Sequence, residues 1–332
     1  MTIINGIEID HIREQFNPIK EAIINNDPIE DKLHVIAVIS NPCLFAKRYI
    51  LMKEFIRRME TEQHVVLYIV ELAYTNQKFI ITDKKCPRHL QLCVDTPLWH
   101  KENMINLGVR YLLPKTYKAF AWIDADLEFE SATWASDTLR ILNGQSDIVQ
   151  LFSHAVDMDQ DEYTMRVFNS SGYMHSKGKP FVNKGADQWH PGFAWAITRK
   201  AYEKIGGLYE KAILGSGDNI MMLSLIGHGL KALNEQSSDD YKKTVIEFQQ
   251  KIRTLRFGYI PGMIRHHFHG SKKNRKYQER WFILINHDYT PSKHITYDKM
   301  GIIIPTIDFP SELKDDIYNY FLERNEDEFL KE

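Results

Sequence analysis

The chain has 332 residues, 43 % of them hydrophobic and 26 % charged, a balance that excludes a fibre, a disordered chain and a membrane bundle. Its 42 Lys and Arg stand against 44 Asp and Glu, a formal net charge of -2, so bulk electrostatics gives no reason to expect a nucleic-acid partner. Three cysteines, Cys43, Cys86 and Cys93, are too few and too irregular for a disulfide framework or a zinc knuckle, and reduced thiols are the economical reading. The first ten residues carry Glu8 and Asp10 and no Lys or Arg, unlike the basic start of a signal peptide. No run approaches the ~18 apolar residues of a membrane span. The expectation is a soluble, cytoplasmic protein with no transmembrane segment.

In chain order, residues 1–30 are mixed, contain Pro18 and Pro28, and read as an N-terminal extension. Residues 33–39 (LHVIAVI) form an apolar run stopped by Ser40-Asn41-Pro42, as a buried parallel strand would be. Apolar residues then recur at three- and four-residue spacing over 46–60, which predicts an amphipathic helix. The next strand is 64–73 (HVVLYIVELA). Strand, helix, strand at this spacing is a βαβ unit and predicts an α/β layer fold. Further on, the pattern predicts a helix over 97–111, a strand over 120–123, a helix over 131–142 and a strand over 147–153. Residues 157–191 read as a loop-rich binding segment. Helices are expected over 199–205, 219–226 and 238–251, and 286–332 reads as a C-terminal acidic extension.

The sharpest local feature is Asp124-Ala125-Asp126, directly after the strand over 120–123. Ligands of α/β sheets sit outside the carboxyl ends of the strands. Two carboxylates one residue apart there can reach one hard cation, Mn2+ or Mg2+, although a solvated turn uses the same residues. A second cluster, residues 264–280 (IRHHFHGSKKNRKYQER), holds His266, His267 and His269 among six basic residues. Strand alternation would turn His267 and His269 to one face and His266 away. One imidazole could complete a cation's shell, and Lys272 and Arg275 could balance polyphosphate charge. A solvated basic loop is the plain alternative. Third, Leu214-Gly215-Ser216-Gly217-Asp218 precedes an apolar helix, and Asp218 can be its N-cap, a catalytic base, or both.

In this order the features resemble metal-dependent nucleotide-sugar glycosyltransferases of the GT-A fold. The matching elements are 36–42, Asp124-Ala125-Asp126, 206–218 and 266–269. Met263-Ile264-Arg265-His266 and Lys272-Lys273-Asn274 look like the late metal-histidine segment of the β-1,4-galactosyltransferases. Gly215-Ser216-Gly217-Asp218 resembles their glycine-rich acidic stretch, without its Trp and without its Glu before Asp218. Leu98-Trp99-His100-Lys101-Glu102, Asn106 and residues 121–126 look closer to bacterial and viral glycosyltransferases.

The resemblance implies a GT-A domain over 31–285, with a mostly parallel central sheet flanked by helices. It implies transfer of a hexose or N-acetylhexosamine from a UDP-sugar to a hydroxyl of a glycan, protein or lipid, with inversion. Asp124, Asp126 and one of His269 or His267 would hold Mn2+ or Mg2+. Lys101, Asn106, Lys272 and Arg275 would lie on the nucleotide, Asp218 would be the base, and Trp195, Gly217 and Asp218 would meet the acceptor. Trp195 is equally a core residue by its apolar neighbours. The alternatives are a nucleotide-sugar-binding protein without catalysis and a Mg2+-dependent nucleotidyltransferase.

Overall fold

The computed structural model describes residues 3–4, 7–8, 20–185 and 187–328, so half of the expected extension over 1–30 lies outside the described residues. From residue 33 onward strand and helix alternate: β1 (Leu33–Ser40), α1 (Ala46–Thr61), β2 (Val65–Tyr74), β3 (His89–Val94), α2 (Lys101–Leu112) and β4 (Ala119–Ile123). β1 is covered on both faces. Leu33, Val35, Ala37 and Ile39 share a core with Met52, Phe55 and Met59 of α1, while Ile36 shares the other core with Met104 and Leu107 of α2. A strand buried on both sides reads as an unbroken apolar run, which is why it is legible. Gly108 lets α2 lie close to the sheet, since a Cβ there would stand 3.0 Å from Ile36 Cγ2 and 3.1 Å from Val70 Cγ2. α2 starts four residues later than its pattern predicts. The Trp99 N–H donates to Ile213 O (2.8 Å), and that bond holds the preceding segment out of the helix.

β5 (Leu127–Phe129), α3 (Trp134–Leu142) and β6 (Ile148–Gln150) follow the Asp124–Asp126 loop. The section expected to be loop-rich is in good part strand: β7 (His154–Met158), β8 (Thr164–Ser170) and β9 (Trp189–His190). β8 carries no apolar alternation at its start, because its first four residues are all exposed, and only its pairing with β7 defines it. Then come β10 (Ala194–Thr198), α4 (Arg199–Ile205), α5 (Gly217–Leu225), α6 (Asp239–Ile252), β11 (Phe257–Tyr259) and β12 (Met263–His266).

The central sheet has the order β11-β6-β10-β4-β1-β2-β3, with every strand parallel except β10, which runs against both neighbours. This is the expected α/β fold with a mostly parallel, helix-flanked sheet. A second sheet, β9-β8-β7-β12-β5, lies beside it, and its Ala155, Phe168 and Ile264 join the core under α1 and α3.

The C-terminal part carries α7 (Arg280–Asn286) and α8 (Ser311–Glu323). α8 buries Leu313, Ile317, Tyr320 and Phe321 in the same core as Trp281 and Leu284. Glu312, Asp315 and Glu323 are therefore the outer face of an amphipathic helix, whereas Glu326 beyond it is buried. Among the described residues no helix is long and apolar enough to cross a membrane, and all three cysteines are free.

Candidate functional site

The Asp124-Ala125-Asp126 loop leaves the carboxyl end of β4 and is pinned at both ends. Asp124 N–H donates to Phe193 O (3.0 Å), and His267 N–H donates to Asp126 O (2.8 Å). β5 starts at once and pairs antiparallel with β12, Leu127 opposite His266, so strand pairing itself delivers His266 to Asp126. Asp126 Oδ2 lies 2.8 Å from His269 Nε2 and 3.7 Å from His266 Nε2. Asp126, His266 and His269 offer ligand atoms that all lie within 4.8 Å of one another.

These residues fit a divalent cation. Among the described residues Asp126 Oδ1 is buried without a hydrogen-bond partner, which is costly unless something else engages it. His266 Nδ1 is bonded to Asp157 Oδ1 (2.7 Å), leaving Nε2 as the nitrogen that faces Asp126. Burial pushes the Asp126 carboxyl up, but His266 and His269 beside it hold it well below the usual carboxylate range. Burial works against a charged His266, and Asp126 and Asp157 outweigh it and raise the ring above its ordinary value. One carboxylate with two imidazoles suits a transition-metal ion such as Mn2+ better than Mg2+, which prefers oxygen throughout.

The histidine expectation needs correcting. β12 ends at His266, so strand alternation does not continue to His269. The His267 ring turns to Glu128 instead (Nε2 to Oε2, 3.4 Å), and the two rings near Asp126 are His266 and His269. Asp124 stands outside that group. It forms an ion pair with Lys101, and burial pushes its carboxyl up against the pull of that ammonium.

The site opens into a cavity of about 840 Å³, running from Ser40 and Asn41 at the end of β1, past Asp124 and Asp126, to Asp218. Lys101, Lys272, Arg275 and Arg280 also line it. Arg275 Nη2 is 2.7 Å from His269 Nε2. Lys272 is ion-paired with Asp157. Arg280, 9 % exposed, donates to Tyr320 OH (3.3 Å) and to Ser216 Oγ and makes no ion pair among the described residues. A buried guanidinium held only by neutral groups leaves net positive charge at the cavity wall.

Asp218 is not the N-cap of α5. Ser216 holds that position in the left-handed region (φ 78), and Asp218 falls in the first turn. Its carboxylate lies against Gly192, where a Cβ would stand 2.6 Å from Asp218 Oδ2. Behind it sits Glu102, which burial pushes up to about 7. Gly217 is required here, because a Cβ would collide with the Glu102 carboxyl.

Three sequence candidates do not reach the cavity. The Asn106 amide donates to Leu208 O (3.0 Å) and Glu210 Oε2 (2.7 Å), while its Oδ1 accepts from Leu208 N–H (2.8 Å) and Tyr202 OH (2.9 Å). With every polar atom so engaged, Asn106 staples α2 to the loop after α4. Trp195, 1 % exposed, stacks with Trp122 (6.4 Å, 8°) and Phe257 (5.4 Å, 18°) and is a core residue. Gly217 is buried against Glu102 rather than open to an acceptor. Conversely, Asp157, Arg48 and Glu326 reach the site or its ligands from places that no local motif marks.

No protein-family model matches this chain, and no curated protein does. Among solved structures, it is similar to a mannosyltransferase from Pyrobaculum calidifontis in complex with GDP-Man and Mn2+ (12 % identity, 83 % of this chain and 72 % of that one, TM-score 0.40). It is also similar to a Drosophila β-1,4-galactosyltransferase 7 mutant in complex with manganese, UDP-Gal and xylobiose (12 % identity, 86 % and 98 % covered, TM-score 0.40). A candidate glucose-1-phosphate thymidylyltransferase from Bacillus anthracis is a further match (8 % identity, 81 % and 98 % covered, TM-score 0.35). Likenesses of this size decide nothing about the chemistry of this chain.

Proposed function

We propose that this protein is a glycosyltransferase that moves a sugar from a nucleoside-diphosphate sugar, a UDP-sugar in the reading adopted here, to a hydroxyl of a glycan, protein or lipid, with inversion. The observation that carries it is the group Asp126, His266 and His269 at the carboxyl edge of the sheet, in a cation-lined cavity that also contains Asp218. Asp126, His266 and His269 would hold the ion. Bound there, a divalent cation supplies Lewis-acid stabilisation of the charge that develops on the departing diphosphate.

The side chains divide the remaining work. Arg275, Arg280 and Lys272 hold the diphosphate by charge-assisted hydrogen bonds. Lys101 fixes Asp124 at the cavity floor, and the end of β1 with Trp99 takes the nucleoside. Asp218 accepts the proton of the acceptor hydroxyl. As it does so, the acceptor oxygen bonds to the anomeric carbon, and the bond to the diphosphate oxygen breaks with its electron pair on the leaving group. Residues 286–328 belong to this unit in our reading, because α8 shares its core and Glu326 reaches His269.

Calorimetric titration with UDP in the presence of Mn2+ tests the metal group. Asp126→Ala is expected to lower UDP affinity by about tenfold or more, ~1.4 kcal/mol, with the thermal midpoint retained. Unchanged affinity would remove Asp126 as a ligand. Release of UDP from a panel of UDP-sugars supports sugar transfer, whereas pyrophosphate release from a nucleoside triphosphate would point to nucleotidyl transfer.

A further inference from the structure

The C-terminal segment that follows α8 does more than close the fold. Glu326, 2 % exposed, is held by Arg48 (Nη2 to Oε1, 2.6 Å) and by Arg324 (Nε to Oε1, 2.8 Å). Its other oxygen, Oε2, accepts from Arg48 Nε (2.5 Å) and lies 3.5 Å from His269 Nδ1. On the far side of the same ring, Nε2 lies 2.8 Å from Asp126 Oδ2 and 2.7 Å from Arg275 Nη2, which a bound ion would displace. His266 is built the same way, with Nδ1 on Asp157 and Nε2 toward Asp126. A carboxylate that accepts the Nδ1 proton keeps the lone pair on Nε2 and fixes the plane of the ring.

The rest of the segment keeps Glu326 in place. Asp327 accepts from the N–H groups of Ala46 (2.9 Å) and Lys47 (2.8 Å) at the start of α1. Asn274 donates to Glu328 (2.6 Å). Gly270, next to His269, has φ 87, and a Cβ there would stand 2.9 Å from Asn325 O. That glycine therefore admits the C-terminal chain.

We propose that Glu326 is a positioning residue for His269, so that the C-terminal segment is a working part of the metal centre. The proposal rests on the metal-dependent reading above. Arg48 also donates to Ser40 O (2.8 Å) at the end of β1, which ties the orientation of His269 to the opposite end of the cavity.

The test is Mn2+ titration of the nucleotide-free full chain, followed by electron paramagnetic resonance, alongside thermal unfolding. Glu326→Gln removes the charge that orders the ring and is expected to weaken Mn2+ binding by about tenfold or more. Glu323→Gln removes an exposed carboxylate at the end of α8 that pairs with Lys276, and is expected to bind Mn2+ within about twofold of the parent. Should Arg48 and Arg324, left facing a neutral partner, unfold the Gln variant, Arg48→Met combined with Glu326→Met removes one of the two buried guanidinium groups and leaves Arg324 over the Trp99 ring. That double variant is expected to show the same loss. Parental Mn2+ affinity in a folded Glu326 variant would overturn the proposal, and so would an equal loss in Glu323→Gln. If Glu326→Gln instead bound UDP more tightly at unchanged Mn2+ affinity, the carboxylate would be standing in for a ligand phosphate, and the proposal would fall. A parent chain that takes up no Mn2+ would overturn the metal reading itself, and this is seen before any variant is compared.

Discussion

Asp218 shows how a single side chain separates a structural role from a chemical one. Asp218 Oδ1 accepts from the Asn219 N–H (2.7 Å) in the first turn of α5, a bond that an amide oxygen also makes, so Asp218→Asn keeps the helix start and the residue's shape while removing the negative charge and proton acceptance. Transfer is expected to fall by about 100-fold or more, ~2.7 kcal/mol of transition-state stabilisation, with donor affinity unchanged. Turnover within threefold of the parent would exclude Asp218 as base. Asp124 and Asp126 are legible as a pair because an apolar strand delivers them to a sheet edge. Their separate partners, Lys101 for one and two imidazoles for the other, are not. Trp195 illustrates the opposite difficulty. An indole that stacks on a sugar and one that stacks on Trp122 have the same sequence surroundings, and only burial separates them.

Between elements, the outcome depends on where strands stop and how far chain ends reach. The alternation rule named His269, which lies beside Asp126, but took His267 in place of His266, because β12 ends at His266, one residue before the rule would have been applied. The pairing of β5 with β12 then set the site. Gly270 tests the corresponding contact for the C-terminal segment. Gly270→Ala places a Cβ in the left-handed region, 2.9 Å from Asn325 O, and is expected to displace Asp327 from α1. Amide exchange at Ala46 and Lys47 should then quicken by about tenfold or more, read by hydrogen exchange. Parental exchange rates at both amides would show that the segment docks without the close approach.

For the whole molecule, two imidazoles set a pH dependence, His100 deep in the core and His190 half-buried in the cavity wall. Burial brings His100 down to about 4, and burial together with His266 and Lys272 brings His190 down to about 3. In the unfolded chain both rings take a proton near ~6.5. Their contribution is therefore complete above that pH and is lost as the pH falls through the folded values. For His100 the loss is on the order of 3 kcal/mol. Urea unfolding at pH 7.5 and 4.5 should show a drop in stability smaller by about 2 kcal/mol in His100→Gln than in the parent. Equal drops would mean that the ring does not stay neutral in the fold. Glu102 acts in the opposite sense. Its carboxyl is raised to about 7, so its contribution is complete below the ordinary carboxyl range and is lost as the pH rises through that value.

By itself the sequence determined the α/β class, the first strand–helix–strand units and the position of the Asp pair, because strands covered on both faces and amphipathic helices imprint their burial locally. It also marked the glycine-rich loop before α5. Only the tertiary structure decided that β10 runs against its neighbours, that a second sheet occupies the polar stretch after β6, and that His266 joins His269. The same holds for the acidic C-terminus, whose Glu326 reaches Arg48 and His269. Those outcomes depend on pairing and charge compensation between residues far apart in the chain. Such contacts leave no periodicity in any one segment.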